Sequence, residues 1–278
     1  MHTPVYLEEA IAALELKQEG KYIDATLGEG GHLEQIAASG ASVLGIDWDL
    51  QQVSKGVERF SRNPLVKIVR GNFADIENIA RENGFLPATG ILMDLGLSFE
   101  QFQQNGIGLS YKYHTEPLDM RLNESAEQTA ADLLNRASED ELYDIFARNA
   151  EEVHAREVAK ACVLKRKEYK FKVVGDFIIL IDEVIPKNPQ ISYARLFQGL
   201  RIAVNDEFGS LKRGLAGALR TLAPGGRLAV ITFHSVEDRM VKMFIRSESA
   251  SIAKSYKVIK KNSMKFERSA LLRVIIKK

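Results

Sequence analysis

A glycine-rich loop directly after a short apolar segment carries residue types that bind a nucleoside cofactor. The loop runs from Asp24 to His32, reads Asp-Ala-Thr-Leu-Gly-Glu-Gly-Gly-His, and follows Tyr22-Ile23. Its three glycines allow the backbone to turn sharply and to approach a ligand without Cβ clashes. The residues that follow the loop, 32–38, are predicted to begin a helix, whose free N–H groups would point towards a ligand held by the loop.

Asp47 adds a second cofactor-binding group at a suitable distance along the chain. It lies 19 residues beyond Gly28, at the end of the apolar segment Val43–Ile46. A carboxylate at that place can accept hydrogen bonds from the two hydroxyls of a ribose. The loop alone could equally be a tight turn, but loop and carboxylate together predict a nucleoside-containing cofactor on the first two strands of a Rossmann-like sheet.

The glycine spacing favours S-adenosylmethionine over a dinucleotide. Dinucleotide enzymes use G-x-G-x-x-G, which leaves room for a pyrophosphate. Here the third glycine, Gly31, comes too early, and Asp24 stands in front of the loop. An anion in that place repels a pyrophosphate and suits the ammonium and sulfonium of S-adenosylmethionine, whose ribose is available to Asp47. An NAD oxidoreductase is therefore disfavoured.

Composition limits the class of protein. The chain has 278 residues, of which 45% are hydrophobic, enough for one large or two ordinary domains. The single cysteine, Cys162, allows no disulfide framework, and the five histidines lack the spacing of metal ligands. No apolar segment approaches the length of a membrane span, and the amino terminus has no features of a signal peptide. We expect a cytoplasmic protein without a metal or a membrane partner.

The small net charge of +1 conceals an asymmetry. Residues 254–278 contain nine basic residues and one acid, a charge of +8, which leaves −7 on the other 253 residues. A second basic cluster alternates with Tyr169 and Phe171; its members are Lys160, Lys165, Arg166, Lys167, Lys170 and Lys172. Either cluster alone is equally well explained as a solvated lysine-rich face. Basic residues with aromatic residues between them suit a phosphate backbone and the stacking of unpaired bases, so two clusters on a chain that binds a nucleoside cofactor favour RNA or DNA as a partner.

The pattern of apolar segments predicts an α/β fold with a parallel sheet. Short strands at 22–23, 43–46, 66–69 and 91–93 alternate with helical patterns. These strands end near Asp24, Asp47, Phe73 and Asp94. Because ligands bind at the carboxyl ends of parallel strands, we expect these four residues to share one rim of the sheet.

After the fourth strand, the patterns are helical as far as about residue 192. They predict an all-helical domain at 108–192, inserted into a cofactor-binding domain of residues 1–107 and 193–278. Capping boxes are predicted to begin at Ser125 and Ser138. A helix at 197–221, a turn at 223–226 and strands at 227–233 and 269–276 are then predicted to complete the sheet.

Several blocks of the chain resemble the motifs of one family. They are Asp24–His32 (D-x-T-x-G-x-G-G-H), Asp94–Gln101 (D-L-G-V-S-S-x-Q), Pro117–Arg121 (P-L-D-M-R), Phe197–Glu207 (F-Q-A-L-R-I-x-V-N-x-E) and Phe233–Lys242 (F-H-S-L-E-D-R-x-V-K). The chain resembles, from about residue 2 to 278, the ribosomal RNA small subunit methyltransferase H family, the bacterial 16S rRNA cytosine-N4 methyltransferases. The F-H-S-x-E-D-R block is the most specific of these motifs.

The resemblance implies a Rossmann-like S-adenosylmethionine-dependent methyltransferase with an inserted helical domain that recognises the substrate. It also implies a cytidine at the decoding centre of the small ribosomal subunit as the target. Carried over by position, the implied cofactor contacts are Gly30, Gly31, His32, Asp47, Phe73, Asp94 and Gln101. Asp24 and Gly28 join them from the loop chemistry described above.

The chain also departs from the family pattern. The family's R-G-F-S-F is Ile107-Gly-Leu-Ser-Tyr111, its D-G before P-L-D-M-R is Thr115-Glu116, and its Y-G-E-E is Asn149–Glu152. The segment before Arg273 is short and keeps only part of the family's N-P-R-x-R-S-A-x-L-R. The cofactor half is thus intact, whereas the half expected to face RNA is altered.

Three residues are candidates for the chemistry at the cytosine N4 amine, namely Asp94, His234 and Asp119. The site must accept the amine's hydrogens and take up the proton released after transfer. Asp94 follows the fourth strand, where other amino-methyltransferases carry an Asp/Asn-Pro-Pro-aromatic loop, so we expect Phe99, Tyr111 or Phe233 to supply the missing aromatic ring. The alternative for His234 is a structural hydrogen-bonding role, and for Asp119 an ion pair with Arg121.

Other classes of function remain open from the sequence. One is an amino-methyltransferase that acts on DNA or tRNA, and another is a ribosome-associated protein that binds the cofactor without turnover. The sequence does not distinguish naked rRNA from an assembled subunit, although two separate basic clusters favour the subunit. It allows either a monomer or a homodimer.

Overall fold

The computed structural model describes residues 4–96, 106–122, 126–258 and 270–278. The chain divides into two compact units. The first comprises residues 1–96 and 208–278, and the second comprises residues 97–207. The second unit is longer at both ends than the predicted helical insertion at 108–192.

The first unit is built on a seven-stranded mixed sheet. Its strands are β1 Lys21–Asp24, β2 Ser42–Asp47, β3 Val66–Arg70, β4 Ala88–Asp94, β5 Leu222–Thr232, β6 Ile252–Val258 and β7 Leu271–Lys277. They lie in the order β3-β2-β1-β4-β5-β7-β6. The first five are parallel, and β7 runs antiparallel to both β5 and β6. The predicted parallel sheet is confirmed, with an antiparallel strand at one side.

The described helices are α1 Leu7–Leu14, α2 Gly31–Ala38, α3 Leu50–Phe60, α4 Ile76–Glu82, α5 Ala130–Arg136, α6 Glu139–Asp144, α7 Ala155–Lys165, α8 Val174–Val184, α9 Gln190–Val204, α10 Glu207–Thr221 and α11 Ser235–Ser247. A single 3₁₀ turn covers Phe73–Asp75, and a π-helical turn at Ile145–Asn149 follows α6. The described residues contain no helix that is long and apolar enough to cross a membrane.

Both faces of the sheet are covered, which explains why its central strands are apolar without alternation. One face packs Ile23 and Ile91 against α4, α10 and α11. The other face packs Tyr22 and Leu92 against α1 and α2. The strands are therefore fixed from both sides, and their carboxyl ends hold the loops that follow them in place.

Strand β5 begins earlier than the sequence predicts. Leu222 already pairs with Ala88, whereas Arg227 pairs with Gly90, so the segment 223–226 stands out of the ladder between them. Gly225 has a positive φ of 75° within this segment. The predicted turn at 223–226 therefore interrupts β5 instead of preceding it. The predicted closing strand lies at Leu271–Lys277, and Ser269 is outside the described residues.

The second unit is helical around its own core. Buried side chains of α5, α7, α8 and α9 pack together, with Phe146 and Phe177 stacked at a ring distance of 6.0 Å. The predicted capping box at Ser138 is present, with Glu141 as its partner. The other predicted box contains Ser125, which is outside the described residues; α5 begins at Ala130 and is capped by Thr129.

The single helix predicted at 197–221 is in fact two. Helix α9 ends at Val204 and α10 begins at Glu207. Asp206, between them, has a φ of 46°, in the left-handed region, which interrupts the helical hydrogen bonds. The break also separates the two units, because α9 belongs to the second unit and α10 from Phe208 onwards belongs to the first.

Candidate active site

Three aspartates gather at the carboxyl ends of adjacent strands of the first unit. Asp24 ends β1, Asp47 ends β2 and Asp94 ends β4, and β1 lies between the other two strands. Asp24 is 1% exposed and Asp47 is 8% exposed. The structure therefore brings together the acidic groups that the sequence placed at strand ends.

The first glycine of the loop is bonded directly to Asp47. The Gly28 N–H donates to Oδ2 of Asp47 over 2.8 Å, and the Asp49 N–H donates to Oδ1 over 2.9 Å. Arg59 holds the other side of the loop, because its Nη1 donates to the Glu29 carbonyl over 2.6 Å. The loop is thus fixed by side chains from β2 and α3 rather than by its own hydrogen bonds alone.

The glycines of the loop face different surroundings. A Cβ at Gly30 would lie 3.0 Å from the Phe60 ring, and one at Gly31 would collide with Pro4. A Cβ at Gly28 would meet no atom within 4 Å. Gly30 and Gly31 are therefore explained by packing within the described residues, whereas Gly28 borders an open cradle that a side chain would begin to fill.

Asp24 and Asp94 are a pair of carboxyl groups whose pKa values are both raised. Burial raises the pKa of Asp24 to about 7. The hydrogen bond from the Thr26 N–H opposes this effect, and the charge of Asp47 adds to it. Burial together with the charges of Asp24 and Glu237 raises the pKa of Asp94 well above its usual range. Oδ2 of Asp24 and Oδ1 of Asp94 are buried and have no hydrogen-bond partner among the described residues. Such a pair fits a cationic ligand, which would stabilise both carboxylates.

Thr26 connects the strands that carry these two aspartates. Its hydroxyl oxygen accepts a hydrogen bond of 2.7 Å from the backbone N–H of Asp94. The Thr26 N–H in turn donates to Oδ1 of Asp24 over 3.3 Å. Thr26 thus helps to set the position of Asp94 relative to Asp24, a role that the sequence did not indicate.

His32 lies in the first turn of α2 and is neutral. Burial lowers its pKa to about 4, against the opposing effect of a hydrogen bond with the Val5 backbone. Its Nδ1 is 3.8 Å from Oδ2 of Asp94, a distance beyond hydrogen bonding. Its Nε2 is buried without a partner in the described part of the chain. His32 therefore lies beside the acidic pair, where its contact with the cofactor stays a prediction.

Phe73 and Gln101 are two further predicted cofactor contacts. Phe73 begins the turn after β3, and its ring packs on α10, where a Cβ at Gly214 would lie 2.5 Å from it. That packing accounts for Gly214 and leaves the cofactor role of Phe73 a prediction. Gln101, like the candidate stacking residue Phe99, lies outside the described residues.

The turn after β5 joins the same region. Phe233 packs over Gly96, two residues beyond Asp94; a Cβ there would lie 3.2 Å from its Cδ2. His234 is the N-cap of α11, and its Nδ1 accepts from the Glu237 N–H over 3.4 Å. Its Nε2 lies 3.1 Å from Oε1 of Glu237 without hydrogen-bond alignment. The structure thus gives His234 a structural role, and its catalytic role stays a prediction.

Asp238 and Arg273 form an ion pair that the sequence did not reveal. Nε and Nη2 of Arg273 donate to the two carboxylate oxygens over 2.6 and 3.1 Å. Burial would raise the pKa of Asp238, but the hydrogen bonds from Arg273 and Lys242 outweigh it, and the pKa is lowered. The pair ties the first turn of α11 to β7, which agrees with a structural role for this part of the F-H-S-x-E-D-R motif.

The P-L-D-M-R segment belongs to the second unit. Arg121 donates to both carboxylate oxygens of Asp119, over 2.7 and 2.9 Å, and holds the pKa of Asp119 below its usual range. Asn205 donates to the Met120 carbonyl and accepts from the Leu122 N–H, each over 2.9 Å. The ion pair that was one of two explanations for Asp119 is present. A catalytic role for Asp119 stays a prediction.

The basic cluster of the second unit differs from the predicted RNA-stacking surface. Phe171 is 1% exposed within the core, so it cannot stack on a base, and that part of the prediction is wrong. Arg166 donates to the carbonyls of Leu134 and Ala137, and Lys165 pairs with Glu183. Four lysines remain exposed, at positions 160, 167, 170 and 172. Tyr111, another proposed stacking residue, packs against Tyr193 and Phe197 within the second unit.

The fold and the site together define the class of protein. A parallel sheet with an antiparallel seventh strand, a glycine-rich turn after β1 and an acid at the end of β2 constitute a Rossmann-like, S-adenosylmethionine-dependent methyltransferase. Among the described residues, no three histidine, cysteine, aspartate or glutamate side chains come together as a metal site.

Comparison with known proteins identifies the family. The model of the MraW methylase family matches residues 1–278. The chain is 42% identical over 255 residues to ribosomal RNA small subunit methyltransferase H of Rhodospirillum centenum, covering 90% of this chain and 77% of that protein. The protein of the same name from Dictyoglomus thermophilum is 40% identical over 291 residues, covering 99% of this chain and 96% of the relative.

The chain belongs to the MraW methylase family. The resemblance inferred from the five motifs is thereby confirmed, as is S-adenosylmethionine as the cofactor of this methylase.

Proposed function

We propose that this protein transfers a methyl group from S-adenosylmethionine to N4 of a cytidine in 16S rRNA, at the decoding centre of the small ribosomal subunit, in the cytoplasm. The observation that carries the proposal is the buried Oδ1 of Asp94, which has no hydrogen-bond partner among the described residues. It lies at the end of β4, beside Asp24 and the Phe233 turn. The names of the relatives support an rRNA target.

The cofactor would be held by the residues of the three strand ends. Asp47 would accept the ribose hydroxyls while it keeps the Gly28 N–H in place, and Gly28 leaves room for the nucleoside. Asp24 would face the positively charged amino-acid end. Gly30, Gly31, His32, Phe73 and Gln101 complete the proposed set. When bound, S-adenosylmethionine supplies an electrophilic methyl group next to a positive charge.

Asp94 would act on the target amine. The lone pair of the N4 amine is conjugated with the ring, so transfer requires an acceptor for the amine's hydrogens. The free carboxylate oxygen can accept one N–H, and a carboxyl group whose pKa is raised is a better proton acceptor than an ordinary aspartate. A cation at Asp24 favours the ionised form of Asp94 at the same time.

The test is methyl transfer from labelled S-adenosylmethionine to small ribosomal subunits that lack the modification, followed by nucleoside analysis. We expect label in N4-methylcytidine with the wild-type protein. Asp94→Asn should lose at least a hundredfold in kcat, because the amide cannot take up the proton, and should still bind S-adenosylmethionine. Glu19→Gln, an exposed substitution in the same unit, is the matched control.

The other possible outcomes separate the alternatives. Label in DNA or tRNA but not in subunits would identify another amino-methyltransferase. Cofactor binding without turnover on any nucleic acid would identify a ribosome-associated protein that has lost its chemistry. Offering naked 16S rRNA beside assembled subunits in the same experiment shows which of the two is the substrate.

A further inference from the structure

Glu237 is a buried acid at the site to which the proposed chemistry assigns no role. It is 5% exposed and lies in the first turn of α11. Its Oε2 accepts hydrogen bonds from the backbone N–H groups of Phe233 and His234, over 2.8 and 3.3 Å. The carboxylate therefore fixes the turn between β5 and α11.

That turn determines where an aromatic ring meets the reacting region. Phe233 lies over Gly96, which has a φ of 110° and whose missing side chain leaves the space for the ring. Gly96 follows Asp94 by two residues, and the Leu95 N–H between them donates to the Ile231 carbonyl of β5 over 2.9 Å. The positions of the ring and of Asp94 are thus linked through β4, β5 and the Glu237 carboxylate.

The charge of Glu237 also reaches Asp94. It is one of three influences that raise the pKa of Asp94, after burial and the charge of Asp24. Among the described residues, the titratable groups that act on Asp94 from the surrounding elements are Asp24 on β1, His32 on α2 and Glu237 on α11. His32 is neutral, so the two carboxylates set the local field.

We propose that Glu237 is a positioning residue of the methyl-transfer site: its carboxylate holds the Phe233 ring beside Asp94 as the surface on which the target base stacks, and its negative charge acts on the Asp94 carboxyl group. This inference rests on the proposed function. The carboxylate has two tasks that can be separated. Holding the turn that carries Phe233 requires only an acceptor oxygen, whereas the effect on Asp94 requires the negative charge.

Two substitutions separate the tasks. Glu237→Gln keeps an acceptor oxygen for both N–H groups but removes the charge, so the acid limb of the pH–kcat profile should move to lower pH while kcat at the optimum stays within about threefold. Glu237→Ala removes both, and kcat should fall at least tenfold.

Phe233→Leu should raise the KM for the target about tenfold, as expected for a lost base–aromatic stack. Glu248→Gln, which changes the partly exposed acid at the opposite end of α11, should alter neither kcat nor the pH profile.

The affinity for S-adenosylmethionine, measured without target, is the second readout. A bound cation favours the ionised forms of both Asp24 and Asp94, so each carboxyl group contributes a midpoint to the pH dependence of this affinity. In Glu237→Gln the midpoint of Asp94 should also move to lower pH, because Asp94 ionises more easily. An unchanged acid limb and an unchanged midpoint in this variant would overturn the proposal, as would wild-type kcat and KM in a folded Glu237→Ala. If the wild-type protein transfers no methyl group, the proposed function fails instead, and the midpoint alone then decides the role of Glu237.

Discussion

Gly28 donates its backbone N–H to Oδ2 of Asp47 over 2.8 Å, although the two residues lie 19 positions apart in the chain. The glycine of the loop and the acid at the end of β2 are therefore one structural unit. Burial raises the pKa of Asp47, and the N–H groups of Asp49 and Gly28 oppose that effect. A change in either residue should disturb the loop and the proposed ribose contact together.

Gly28→Ala should weaken cofactor binding more than it weakens folding. Gly28 and Gly84 both have positive φ values, of 49° and 79°, and a Cβ at either meets no atom within 4 Å. Alanine at each position should cost about 1 kcal/mol of unfolding free energy, from backbone strain alone. Only Gly28→Ala should also raise the Kd for S-adenosylmethionine, by at least tenfold in calorimetric titrations. Equal Kd values for the two variants would contradict the proposed place of the nucleoside.

Binding of S-adenosylmethionine should release a proton below pH 7. The pKa of Asp24 is raised to about 7, so at pH 6 the carboxyl group is mostly neutral and must ionise to meet a cation. The ionisation of Asp24 should raise the affinity by up to tenfold per pH unit towards pH 7, and this contribution should level off above pH 7. Calorimetry in two buffers of different ionisation enthalpy measures the released protons. Asp24→Asn should bind more weakly and show a smaller pH dependence; proton uptake on binding would contradict the prediction.

Asp24→Asn should stabilise the protein in the absence of cofactor. Because the folded-state pKa is raised, the folded protein holds more protons than the unfolded chain between about pH 4 and 7, so the unfolding free energy falls as the pH rises through that range. The shift from 3.8 to about 7 corresponds to a cost of roughly 4 kcal/mol at most above pH 7. Asparagine mimics the neutral acid and removes that cost. Urea unfolding at pH 8 should show a higher midpoint than wild type, and the difference should nearly vanish at pH 4.

Asn205→Ala should destabilise the second unit. The side chain bonds to the Met120 carbonyl, the Arg201 carbonyl and the Leu122 N–H, and Met120 is held at a φ of 60° within that segment. Loss of these bonds should cost about 2 kcal/mol, measured by urea unfolding with a probe in this unit. Gln190→Ala, an exposed amide at the other end of α9, should change the unfolding free energy by less than about 0.5 kcal/mol. A similar cost for both variants would assign no special role to Asn205.

The strand ends could be predicted because apolar segments and the polar residues after them have a simple relation in parallel sheets. Asp24, Asp47 and Asp94 therefore appear where the pattern placed them. The contacts between segments that are distant in the chain could not be predicted from the sequence. Asp238 meets Arg273 only because β5 and β7 are neighbours in the sheet, which no local pattern indicates.

Tertiary packing also overrode local patterns. Phe171 lies between lysines in the sequence, yet the core of the second unit buries it. The apolar period of 197–221 continues through a break that one residue, Asp206, introduces with its backbone. His234 begins a capping box in which histidine takes the place usually held by serine or threonine, so the motif was not recognised as a cap.

The burial of Cys162 gives this chain an internal reporter of local opening. The thiol is fully buried among α7 and its neighbours, and burial raises its pKa, so the reactive thiolate is scarce while the helical unit is closed. Since the chain has no other cysteine, each molecule that reacts with a thiol reagent under native conditions must have opened at this place. The rate at which this chain is labelled therefore measures the opening of the helical unit around Cys162, and no cysteine has to be introduced for the purpose.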